Sequence, residues 1–190
     1  VRGCRVIAPG NVGIGASAAA RDATLTAENQ NTTAGRRSRC VLEYNYVSDN
    51  NWGGHQALWE SGGFKVCNLT GCVLRYNIFE GGAGPGIWMD WQHYNNRIEG
   101  NLGLHGWGFL VGIEASPGPN LVCNNIAIDQ RPGEVWFRSP FLAWSTGKYW
   151  CLHNTVDGRH NAFPSWKGLK GAGSIDVNGG GSDSPADRRT

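Results

Sequence analysis

Charge is scarce in this chain, and so are long apolar runs. Of 190 residues, 17% are charged, and the formal net charge is +2. That balance gives no electrostatic basis for holding nucleic acid. No apolar stretch approaches the roughly 20 residues that a membrane-spanning helix needs. Neither nucleic acid nor membrane is therefore an expected partner. No CxxC pair offers a zinc site, and no cluster of acidic residues offers a calcium cage, so neither metal nor cofactor is expected. No signal peptide is visible either. Because the chain opens on Val1, in a segment (VRGCRVIAPG) that reads as the middle of a repeat, a mature or truncated chain is expected, a piece of something longer.

What is present is a repeat. Five six-residue stretches share one pattern: CVLEYN (40–45), CVLRYN (72–77), NRIEGN (96–101), NLVCNN (120–125) and YWCLHN (149–154). The third position is apolar or cysteine, and the last is always asparagine: Asn45, Asn77, Asn101, Asn125, Asn154. The asparagines step by 32, 24, 24 and 29 residues. A fixed period of roughly 20–50 residues marks a solenoid, a propeller or an array. The spacers are rich in Gly, Asn, Ser and Trp, and their apolar runs are short and glycine-bounded, which reads as strands and turns rather than helices. A coil of about 24 residues holds two or three short strands, whereas a propeller blade takes about 40 or more. The expectation is an all-β, right-handed parallel β-helix with an asparagine ladder along its axis. Asparagine tolerates left-handed backbone, so each ladder residue is expected at the bend itself.

Residues 1–170 are expected to form the β-helix domain. Within it, 1–39 read as irregular coils with an insertion near Thr32, 40–158 as the regular stack, and 159–170 as a closing half-coil. Residues 171–190 are polar and glycine-rich and read as a flexible tail. Cys40 and Cys72 hold the same repeat position, so stacking would bring them within disulfide range. A reduced stack is the preferred reading, because cysteine also packs as a small hydrophobe. Exposed coil ends are open strand edges, which leaves an oligomer or end-to-end assembly open.

The chemistry lies between the repeats. Asp90 and Glu114 each fall eleven residues before a ladder asparagine, so they occupy one position on successive coils. Period-2 alternation puts Ile87 and Met89 inside and Trp88 and Asp90 outside; it likewise puts Phe109, Val111 and Ile113 inside and Leu110, Gly112 and Glu114 outside. Strands about 4.8 Å apart would set the two carboxyl groups roughly 5 Å apart. Like charges so placed destabilise a sheet and split the two pKa values. About 5–5.5 Å is also the carboxyl separation of a retaining glycosidase. Trp88, Trp91 and Trp107 lie nearby in sequence and are expected to bind sugar rings, with Gly112 leaving space beside Glu114. Lys65, given a one-residue bulge, would join the same column and hold Asp90 ionised, leaving Glu114 to carry the proton. A solvated Lys65–Asp90–Glu114 charge ladder is the plain alternative.

The run GGFK…GPGIWMDW…RIEGN…GFLVGIEAS resembles bacterial right-handed β-helix proteins of the pectate-lyase-like superfold. Among them it looks most like the glycoside hydrolases that include β-xylosidases. The resemblance spans 40–158 and is best over 60–128. It implies Asp90 as nucleophile and Glu114 as acid/base, acting on an oligo- or polysaccharide. Proteins of that group are longer and often carry a further β-domain closing the site. Arg138 is a candidate for binding a substrate hydroxyl or carboxylate. His93 and His105 read as surface residues, and Glu60 as a turn residue. Two other functions stay open: a polysaccharide lyase on uronates, with Lys65 as base and Arg138 on the uronate, and a non-catalytic sugar-binding or structural module. A secreted or periplasmic location is expected.

Overall fold

The computed structural model describes residues 1–17, 39–57, 59–131, 139–144, 146–157 and 175–178. These form a right-handed parallel β-helix with three stacked sheets. Sheet A contains β3 (Val41–Glu43), β6 (Val73–Arg75), β9 (Arg97–Glu99), β12 (Asn120–Cys123) and β15 (Tyr149–Leu152). Sheet B contains β1 (Arg5–Ile7), β4 (Tyr46–Ser48), β7 (Ile78–Glu80), β10 (Leu102–Leu104), β13 (Ile126–Ile128) and β16 (Thr155–Asp157). Sheet C contains β2 (Val12–Ser17), β5 (Gly62–Cys67), β8 (Ile87–Asp90), β11 (Val111–Glu114), β14 (Phe141–Trp144) and β17 (Ile175–Asn178). Each coil passes through A, B and C in turn, and every strand pairs in parallel with its counterpart on the next coil.

The six-residue repeat is sheet A plus the turn after it. Its third residue stacks inward as Leu42, Leu74, Ile98 and Val122, all buried, with partly buried Cys151 beyond. Each such aliphatic side chain contributes about 1.5–3 kcal/mol by leaving water. Asn45, Asn77, Asn101 and Asn125 are buried and Asn154 partly so, and the bonding repeats from coil to coil. The main-chain N–H of Asn77 donates to Oδ1 of Asn101 at 3.0 Å, and its Nδ2 donates to the same oxygen at 2.9 Å and to the Leu42 carbonyl at 2.9 Å. The pattern recurs from Asn101 to Asn125 and from Asn125 to Asn154.

The bend does not fall on the ladder residue. The residue before it is left-handed: Tyr44 (φ 56°), Tyr76 (55°), Gly100 (63°), Asn124 (55°) and His153 (53°). The other two corners repeat the device, with Asp49, Gly81, His105 and Asp129 after sheet B, and Asn68, Trp91 and Ala115 after sheet C. The ladder asparagine is selected instead for its amide, which ties two coils together through groups that would otherwise be buried without partners. A second column, unforeseen as a ladder, runs through the first repeat position. Cys72 N–H donates to Oδ1 of Asn96, and Asn96 N–H to Oδ1 of Asn120. In the coil below, Cys40 N–H donates to Sγ of Cys72 at 3.2 Å, the thiol standing where an amide oxygen stands elsewhere. None of the six cysteines forms a disulfide.

Residues 1–17 are regular rather than irregular: β1 and β2 sit in register on β4 and β5, and Arg2 bridges Glu43 in sheet A. The insertion expected near Thr32 and the half-coil expected at 159–170 lie outside the described residues. Of the span 171–190, only Ile175–Asn178 is described, as the strand β17 paired with β14. No helix among the described residues is long and apolar enough to cross a membrane.

Candidate active site

Sheet C carries the charged column on its outer face. β8 and β11 pair so that Asp90 stands directly beside Glu114, and the column reads Cys67, Asp90, Glu114, Trp144. Ile87 and Met89 point into the core as their alternation requires, and Trp88 and Asp90 point the other way. That outer face is not open, because Asp90 is 9% exposed and Trp88 3%.

Lys65 does not join the carboxylate column. β5 and β8 pair at an offset of 23 residues against the ladder's 24, a one-residue shift opposite to the expected bulge, so Lys65 is the strand neighbour of Trp88, and Cys67 is the neighbour of Asp90. The lysine reaches Asp90 diagonally instead, its Nζ lying 3.0 Å from Oδ2. Nζ also donates to the Trp59 carbonyl at 3.1 Å and sits 3.3 Å from the centre of the Trp88 ring. A buried ammonium is tolerable only with such partners. Asp90 Oδ1 is buried, with no hydrogen-bond partner among the described residues.

Trp88 was expected to offer its flat face to sugar, and it does not. Lys65 covers the ring, Phe109 meets it edge-on at 5.7 Å, and Trp144 lies tilted against it at 6.1 Å. Its indole N–H is used inside the site, donating to Glu114 Oε2 at 3.0 Å. Trp144 donates a second hydrogen bond to the same carboxyl group. Glu114 is pushed toward the protonated form, first by burial and then by the neighbouring Asp90 charge. The two indole hydrogen bonds and Lys65 pull the other way.

The space beside Gly112 is filled, not open. A Cβ there would lie 2.5 Å from the Phe109 ring. Phe109 and Leu110 exchange the faces expected of them: Leu110 enters the core and packs over Gly103, while Phe109 joins Trp88 and Leu142 outside. The alternation fails because the strand begins only at Val111, after a left-handed Gly108 (φ 72°).

No protein-family model, curated protein or solved structure matches this chain. The site therefore stands on its own geometry. Trp91 is 41% exposed, immediately after Asp90, while Trp107 is partly buried against the Trp88–Phe109–Leu142 cluster. Arg138 lies outside the described residues. Glu60 is exposed. His105 stands at the corner after β10, its Nδ1 3.3 Å from Asp129 Oδ2. His93 is no surface residue: it is fully buried, Nδ1 accepts from Leu69 N–H, and Nε2 must then carry the proton toward the Val66 carbonyl at 3.0 Å. Burial lowers its pKa to about 4, so it is a neutral structural strut.

Two residues near the pair were not anticipated as site residues. Trp59, 70% exposed, is tied to the site through its carbonyl. Its only prior signal was its place in LWESGG just before the Lys65 strand. Trp144 takes the place next to Glu114 in the column. The 29-residue step from Asn125 to Asn154 concealed that register.

Proposed function

We propose that this is a carbohydrate-active β-helix that hydrolyses a glycosidic bond with retention, with Asp90 as nucleophile and Glu114 as acid/base. The observation that carries the reading is the asymmetry of two adjacent carboxyl groups, one ion-paired with Lys65 and the other biased toward holding a proton. Neighbouring strands lie about 4.8 Å apart, close to the about 5–5.5 Å of retaining pairs. Asp90 would attack the anomeric carbon while Glu114 protonates the leaving oxygen. Glu114 would then take a proton from water as that water displaces Asp90. Attack requires Oδ1 to be uncovered, so substrate entry has to displace a covering side chain.

That same burial favours a second reading, a β-helix module that binds sugar without cleaving it. The lyase alternative gains nothing from the geometry, since Lys65 is occupied by Asp90 and the Trp59 carbonyl rather than presented as a base. Action on a polysaccharide fits a secreted or periplasmic setting. The test is a panel of aryl β-glycosides, xyloside included, with the wild type, Asp90→Asn and Glu114→Gln. The hydrolase reading expects turnover that both substitutions reduce by at least about 10³-fold. A folded wild type that turns over no member of the panel sinks that reading and leaves the binding module.

A further inference from the structure

We propose that Trp59 and Trp91 are stacking platforms for a neutral polysaccharide chain laid over the Asp90–Glu114 pair. This rests on the carbohydrate-active reading above and names the substrate class. The corner after sheet C supplies the first observation. It is turned by left-handed residues: Asn68 (φ 55°), the consecutive pair Trp91 (φ 68°) and Gln92 (φ 55°), and Ala115 (φ 43°). Asparagine takes that conformation readily, whereas a bulky side chain there is strained, as Tyr44 and Tyr76 are at the corner after sheet A; Trp91 differs from them in following Asp90 directly. Strained residues persist at functional sites, where something other than folding maintains them. Core packing does not account for this one, since Trp91 is 41% exposed.

Trp59 supplies the second observation. Its indole is 70% exposed, yet its backbone is pinned by the nearly buried Lys65 ammonium that also holds Asp90. An exposed indole whose main chain is tied to the lysine that holds Asp90 is a flat surface for the C–H face of a pyranose. The charge of the site selects the sugar. Lys65 is nearly buried and already held by Asp90 and the Trp59 carbonyl, so it does not offer its charge to a uronate, and the Asp90 carboxylate disfavours a second anion beside it.

Affinity electrophoresis in gels containing soluble xylan, glucan or mannan, with polygalacturonate as the acidic control, tests this on the whole chain. The wild type is expected to be retarded by at least one neutral polymer and not by polygalacturonate. Trp59→Ala and Trp91→Asn should each weaken that retardation about tenfold. Trp91→Asn should also melt about 2–4 °C higher than the wild type, because it relieves the corner. Retardation by polygalacturonate alone, by no polymer, or equally in the variants overturns the proposal, as does a lower melting temperature for Trp91→Asn. Aryl-glycoside turnover separates the two levels. Hydrolysis without polymer binding defeats the platforms and leaves the catalytic reading, whereas polymer binding without hydrolysis does the reverse.

Discussion

Along the Asn77–Asn101–Asn125 column every step is alike, whereas along the Cys67–Asp90–Glu114–Trp144 column no two steps are. In the first, each amide donates upward and downward, and nothing is left without a partner. In the second, a thiol, two carboxyl groups and an indole follow one another, and one carboxylate oxygen is buried with no hydrogen-bond partner among the described residues. Both columns run through the same coils and share the same strand spacing, so backbone geometry does not separate them. Repetition marks the part that holds the solenoid together, and departure from it marks the part built for something else.

The largest effect is expected from unpairing the site. Lys65→Met leaves Asp90 buried without its counter-charge and should destabilise the fold by about 3–5 kcal/mol. Adding Asp90→Leu should recover most of that loss, measured by urea unfolding. Full recovery is reserved for the charged column, and a double variant as unstable as the single one would show that Lys65 acts mainly through its Trp59 and Trp88 contacts.

A smaller loss is expected from the ladder. Asn101→Ala leaves the Asn77 N–H, the Asn77 amide and the Leu74 carbonyl without their partners, at a cost on the order of 3 kcal/mol. Asn101→Asp should be scarcely better, since a carboxylate cannot donate to Leu74. A loss under about 1 kcal/mol would mean that the ladder is ornament and apolar stacking carries the coils.

The smallest effect separates the columns by pH. Glu114 has a raised pKa in the folded state, so folding takes up a proton there. Its contribution is complete below the ordinary carboxyl range and is lost as pH rises through the folded value. Glu114→Gln should therefore leave stability unchanged at low pH and raise it by under about 1 kcal/mol at neutral pH. Melting curves across that range check it, and a destabilised Gln variant at neutral pH would contradict like-charge strain.

The ladder was legible because its six-residue motif recurs even where coils lengthen, and the Asp90–Glu114 register because those two coils keep a 24-residue step. Lys65 was misplaced because the segment from β5 to Asn77 is one residue shorter than the segment from β8 to Asn101, a difference that counting back from the ladder does not reveal. Phe109 and Leu110 were exchanged because alternation was extended back past Gly108, where the strand has not yet begun. The left-handed position one residue before each ladder asparagine was hidden for a different reason. Tyrosine, glycine, asparagine and histidine all occupy it, so residue type there carries no pattern. Trp59 was invisible as a site residue because what ties it in is its carbonyl, which every residue has.

The equal steps from Asn77 to Asn101 and from Asn101 to Asn125 have a consequence for the gene. A segment cut at one of these asparagines and rejoined at the next returns every ladder hydrogen bond to an identical donor and acceptor. Whole coils can thus be duplicated or dropped in frame without leaving a mismatched seam. The loops that lengthen individual coils can vary independently between those seams. The molecule is a ruler whose divisions can be copied, on which one pair of marks, Asp90 and Glu114, differs from the rest.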